Sequence, residues 1–150
     1  SVITWGRSSS GGNSTSVADQ LSSGVVQIFS TGFAFAALKA DGSVVTWGTS
    51  GWGGDSSSVA DQLSSGVIQV FSNSGAFAAL KDDGSIVTWG STNHAGDSSS
   101  VADQLSSGVV QIFSTINAFA ALKPAQKVTF TKRQHFNLCL ENLETLATHS

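Results

Sequence analysis

The chain has 150 residues, enough for one domain with a core of its own, and it is 40% hydrophobic but only 11% charged. A net charge of −3 with scattered Lys and Arg argues against a nucleic-acid surface, and one cysteine, Cys139, excludes an internal disulfide framework. No apolar run approaches a membrane span, no signal-peptide pattern stands at the start and no methionine occurs, so the chain reads as a processed protein or a piece of a longer one.

The residues repeat. Trp5, Trp47 and Trp89 fall 42 apart, as do Val17, Val59 and Val101. The block Val17-Ala-Asp-Gln-Leu-Ser-Ser-Gly-Val25 returns at 59–67 and 101–109, so three copies fill residues 1–126. The chain opens on Ser1–Gly6, the second half of a motif that is complete at Leu38–Gly48 and Leu80–Gly90. In that motif Asp-Gly separates an apolar run ending in Ala-Leu-Lys from an alternating run ending in Trp-Gly, which predicts a hairpin with a type I′ turn. Strands are expected at Val25–Ser30, Ala34–Lys39 and Ser43–Trp47, then at Val67–Ser72, Ala76–Lys81 and Ser85–Trp89, then at Val109–Ser114 and Ala118–Lys123. The connector Asp55–Gly66 is polar and then carries Val59 and Leu63 four apart; a fourth, irregular edge strand and a single helical turn both fit it. Adjacent apolar pairs such as Val67-Ile68 and Ile86-Val87 imply strands covered on both faces, as in a propeller blade packed between two neighbours.

The pattern Ala79-Leu80-Lys81-x-Asp83-Gly84-Ser85-Ile86-Val87-Thr88-Trp89-Gly90, preceded by Gly66-Val-Ile-Gln-Val70, resembles the repeat of the regulator of chromosome condensation family. Its shorter bacterial form, found in propeller-type β-lactamase inhibitor proteins, is the nearer in length. The resemblance covers residues 1–126 and implies a β-propeller. Family roles include nucleotide exchange on a small GTPase, histone binding and protein inhibition, all through faces of the disc. The Gly-Gln-Leu-Gly that typically follows Trp-Gly is replaced here by Gly53-Gly54-Asp55-Ser56, so no functional residue carries over by motif.

The fold class expected is therefore all-β: a propeller-like array of three 42-residue antiparallel meanders, a partial propeller, with a C-terminal amphipathic helix. The alternative is a β-trefoil, which closes with three copies of this size. Propeller closure takes about four to eight blades, so the array implies further blades, self-association or an open arc. At the end of the third copy Pro124-Ala125-Gln126 replaces the Asp-Gly turn, and Lys127–Thr131 reads as a degenerate third strand, which places the β domain at 1–131. In the tail, 132–150, Phe136, Cys139, Leu140, Leu143 and Ala147 share one face at helical spacing. A helix over about Phe136–Thr148 is expected there, either capping the last blade or docking on a partner through Phe136, Leu140 and Leu143.

Near-identical copies present the same groups everywhere, whereas a catalytic site needs different groups converging at one point. The copies differ in two loops, 7–13 with 49–55 and 91–97, and 31–33 with 73–75 and 115–117. Loops on a rigid scaffold are where binding usually sits. Trp52 has no equivalent in the other copies and reads either as an interface anchor or as packing on a neighbouring loop. Arg7, Asn93 and His94 occupy the matching loop elsewhere, and Phe33 and Ile116 belong to the second loop. His94, Asp97 and Ser98 invite a triad reading, but nothing in the sequence points to the geometry or the oxyanion site it needs. Three histidines and one cysteine lack ligand spacing, Gly51-Trp-Gly-Gly54 lacks the helix that phosphate binding uses, and no metal or cofactor is expected. Asp19, Asp61 and Asp103 read as turn or cap residues, Asn13-Ser14-Thr15 is a glycosylation sequon, and Lys123, Lys127, Lys132 and Arg133 read as a solvated basic face or a contact for an acidic partner. The function expected is a non-enzymatic protein-binding or scaffolding module, an accessory subunit acting through its variable loops. A carbohydrate-binding lectin with repeated equivalent sites is the alternative.

Overall fold

The structure, a computed structural model, describes residues 1–125. Expected features beyond them lie outside the described residues: the strand Lys127–Thr131 and the tail helix with Phe136, Leu140 and Leu143. Among the described residues the β-branched and aromatic runs form strands in three antiparallel sheets, and no closed barrel is present. The first sheet holds β1 (Val25–Ser30), β2 (Ala34–Lys39) and β3 (Val44–Gly48); the second holds β4 (Val67–Ser72), β5 (Ala76–Lys81) and β6 (Ile86–Gly90). The third has two strands, β7 (Gln111–Ser114) and β8 (Phe119–Leu122), both shorter than the sequence predicts. Register repeats between copies: Phe35 lies opposite Trp47 as Phe77 lies opposite Trp89, and the first strand of each of these two sheets bulges at its second residue. The bulge turns Val26 and Ile68 out to solvent.

The hairpin turn differs from the type I′ expectation. Gly42 and Gly84 take positive φ (79° and 77°), but Ala95 is the one non-glycine that does so among the described residues, which leaves Asp41 and Asp83 out. Gly42 N–H donates to the Lys39 carbonyl (3.0 Å) and Lys39 N–H to that of Ser43 (2.9 Å), the pattern of a three-residue loop with a left-handed glycine. The carboxylate decides it. Asp41 Oδ1 accepts from Ser43 N–H (2.9 Å) and from its hydroxyl (2.6 Å), and Asp83 does the same with Ser85. Those serines are thereby drawn into the turn, so β3 and β6 begin one residue later than predicted.

Of the two readings of the connector, the helical one is correct. Short turns occur at Ala18–Leu21, Ser57–Val59 and Ser99–Leu105, because Val59 and Leu63 must face the core together. A lysine braces each connector: Lys39, Lys81 and Lys123 Nζ donate to the carbonyls of Gln20, Gln62 and Gln104 at 2.8, 2.7 and 3.0 Å. The connector also edges the third strand of the preceding sheet, with Val44 N–H donating to the Leu63 carbonyl (2.9 Å).

Successive sheets cover one another. On one face of β2, Ala34, Ala36 and Leu38 pack with Val67, Val70, Phe77 and Trp89 of the second sheet. On the other, Ala37 joins Trp47, Leu21 and Val2. Ala78 and Leu80, on the far face of β5, pack with Val109 and with Ile112 of the third sheet. Each middle strand is therefore buried on both sides, which small Ala side chains allow. Turns lock this stacking, since Val67 and Val109 N–H donate to the carbonyls of Gly42 and Gly84 at 2.9 and 3.0 Å. Among the described residues no helix is long and apolar enough to cross a membrane.

Candidate functional site

An antiparallel three-stranded order places the loop between the first two strands and the loop after the third strand at one end of the sheet. Backbone bonds tie the two together: Thr49 N–H donates to the Phe33 carbonyl (2.8 Å), and Ser91 N–H to that of Gly75 (2.9 Å). Across copies the first of these loops run side by side, because Gly32 N–H donates to Ser74 (2.8 Å) and Ser74 N–H to Ile116 (3.1 Å). The two loops that vary in sequence thus share one end of the molecule.

On that end Phe33, Trp52 and His94 meet. Phe33 meets Trp52 edge to face with ring centroids 4.7 Å apart, and Trp52 meets His94 at 5.1 Å. Trp52 and His94 occupy the same position of successive copies, where the first copy has Ser10; Phe33 corresponds to Gly75 and Asn117. Gly75 makes the contact between Trp52 and His94 possible, since a Cβ there would lie 2.7 Å from His94 Cγ and 3.0 Å from Trp52 Cε3. His94 Nδ1 shares a hydrogen bond with Ser91 Oγ at 2.8 Å. Trp52 and His94 are half-buried and Phe33 is exposed, so the strip is anchored from below and open from above. No family model and no curated protein matches the chain.

Beneath the strip are residues the sequence reading passed over. Asn73 Nδ2 donates to the His94 carbonyl (2.6 Å), while its Oδ1 accepts from Gly75 N–H (3.0 Å) and Ala76 N–H (2.8 Å). In the first copy Thr31 takes this part: its hydroxyl donates to the Trp52 carbonyl (2.9 Å) and accepts from Ala34 N–H (3.1 Å). The available signal was the exchange of Thr31 for Asn73 in copies that otherwise barely differ.

The remaining predicted residues flank the strip. Arg7 and Asn93 are exposed in turns equivalent to the one carrying Trp52, and Ile116, 73% exposed, stands at the end of the loop ladder. The structure gives no ring contact between these three and Trp52. His94, Asp97 and Ser98 are each engaged elsewhere: Asp97 accepts from Ser99 N–H (2.9 Å), and Ser98 Oγ accepts from Thr88 Oγ1 (2.9 Å). Asp97 is held below the usual carboxylate range by the Ser99 backbone and side chain, as Asp55 is by the Ser57 side chain and backbone. These carboxylates are stabilised as anions and cap turns, which suits structure better than proton transfer. Among the described residues no group of His, Cys, Asp and Glu is placed to hold a metal.

Proposed function

We propose that the chain is a non-enzymatic protein-binding module of propeller type, using the loop end built around Phe33, Trp52 and His94 as its contact surface, with Arg7, Asn93 and Ile116 at the margin. The observation that carries this reading is the gathering of both variable loops at one end, with a half-open aromatic strip across them. Aromatic side chains fixed in place give large contact area at small entropic cost, as interface anchors do. The propeller reading, and with it the likeness to regulator of chromosome condensation repeats, draws support from the stacked meanders. The first strands β1, β4 and β7 are neighbours in turn while the third strands lie away from them. Blades radiating from an axis have that arrangement; a trefoil is built on a closed barrel.

A lectin with three equivalent sites draws less support, because Ser10, Trp52 and His94 differ at one repeated position and the strip occurs once among the described residues. The test is affinity capture with the purified chain as bait, compared with Trp52→Ala and with a glycan array run in parallel. Trp52→Ala is expected to cost a specific protein partner about 2 kcal/mol, on the order of 30-fold in affinity, with the circular dichroism of the fold unchanged. Equal enrichment by both proteins, or glycan binding with three sites per chain, contradicts the reading.

A further inference from the structure

Between each variable loop and the strand that follows, residues 54–67 and 96–109 are identical, and residues 12–25 depart from them at two positions only. Asn13 stands for Asp55 and Asp97, and Thr15 for Ser57 and Ser99. Both changes fall in one Asn-Ser-Thr triplet, and no other Asn-x-Ser or Asn-x-Thr occurs in the chain. The turn itself does not call for the exchange. Asn13 Oδ1 accepts from Thr15 N–H (2.9 Å) and from the Thr15 hydroxyl, as Asp55 and Asp97 accept from the N–H groups of Ser57 and Ser99, each at 2.9 Å. A carboxylate makes such bonds more strongly than a neutral carboxamide, so aspartate is the better residue for the turn. What the first copy gains is an amide nitrogen, Nδ2, that takes part in neither bond, and a hydroxyl set on the carboxamide oxygen. The branched side chain of threonine has fewer rotamers open to it than serine's, which holds the hydroxyl there.

The surroundings leave the triplet accessible. Gly12 and Ser14 are half-buried and tied to Thr4, whose hydroxyl donates to the Gly12 carbonyl (3.2 Å) and shares a hydrogen bond with Ser14 Oγ (3.0 Å). Asn13 and Thr15 alternate with them and are exposed. This exposure belongs to the position within the repeat and not to its place in the array. In the second copy, whose sheet has neighbours on both faces, Asp55 and Ser57 are exposed in the same way, while Gly54 and Ser56 bond to Thr46. A bulky hydrophilic group on Asn13 would therefore stand in solvent without disturbing the turn or the packed sheets.

We propose that Asn13 is an N-glycan acceptor, modified by transfer of an oligosaccharide from a lipid pyrophosphate donor. Asn13 Nδ2 forms a bond to the anomeric carbon of the first sugar, and the bond from that carbon to the pyrophosphate oxygen breaks. The lipid pyrophosphate leaves with the electron pair, and the proton lost from Nδ2 passes to a base of the transferase. The Thr15 hydroxyl is the group by which the transferase distinguishes this carboxamide from the chain's other asparagines. The assignment is independent of what the loop end binds.

Secretion of the full chain from a eukaryotic host, directed by a cleavable signal peptide, tests this. The readouts are gel mobility before and after peptide N-glycosidase and the mass of the tryptic peptide 8–39. Wild type is expected to carry one glycan in that peptide. Asn13→Asp, which installs the residue of the other two copies, is expected to lose it with circular dichroism and melting temperature unchanged. Thr15→Ala is expected to lose the glycan as well, and Thr15→Ser to lower its occupancy. Asp55→Asn combined with Ser57→Thr is expected to add a second glycan, because the same geometry is then presented one copy later. A wild-type chain that is secreted folded but unmodified overturns the proposal, as does a glycan on peptide 8–39 that survives Thr15→Ala.

Discussion

The Asn73 carboxamide accepts two backbone N–H groups and donates to the His94 carbonyl, while the Thr31 hydroxyl serves the matching loop and the Trp52 carbonyl. One polar side chain per copy therefore holds a variable loop and the aromatic residue above it in a fixed relation. Asn73 is buried, only 9% exposed, so its removal leaves the Gly75 and Ala76 amides short of a partner. Asn73→Ala is expected to lower stability by about 1–3 kcal/mol, and Asn73→Thr, which imports the first copy's solution, by less than about 1 kcal/mol. Chemical denaturation distinguishes them, and equal losses would show that the side-chain bonds are immaterial. Gly75 belongs to the same unit. Gly75→Ala would force the His94 ring away from Trp52, with Trp52 emission shifting while the melting transition moves little.

At the scale of the element, the turns carry a pH signature. Asp41 and Asp83 are held below the usual carboxylate range first by the side-chain hydroxyls and then the backbone amides of Ser43 and Ser85, with Lys39 and Lys81 assisting. Because their folded pKa values are depressed, their stabilisation is present above the unfolded value of about 3.9 and is lost as pH falls through the lower folded values. Thermal melts are expected to be flat down to about pH 4.5 and to drop below it, and replacing both residues by Asn should shallow that drop. An unchanged acid profile in the double variant would contradict this origin.

These turns also show how far the sequence could be read. The limits of β1, β2, β4 and β5 follow from β-branched and aromatic runs bounded by polar residues, and they match residue for residue. The Asp-Gly pair located each hairpin but not its type, because the deciding bond runs from a carboxylate to a serine two residues on. The strip was legible only as separate unusual residues. Phe33, Trp52 and His94 are far apart in sequence, and their meeting depends on the stacking of sheets and on the missing side chain of Gly75.

For the whole molecule, mutual covering is the organising fact. The second sheet has neighbours on both faces, and Phe77, Ala78 and Ala79 of β5 are fully enclosed. Among the described residues β2 is buried along most of its length, whereas β8 is mostly exposed, with Leu122 at 51%. Repeat arrays draw their stability from interfaces between neighbours, so local stability should follow how far each strand is covered. Native-state hydrogen exchange of the full chain in dilute solution reads it directly. The account predicts that β5 amides exchange slowest, near the rate of global unfolding, with β2 next and β8 fastest; β8 amides as slow as those of β5, or uniform exchange along the strands, would contradict it.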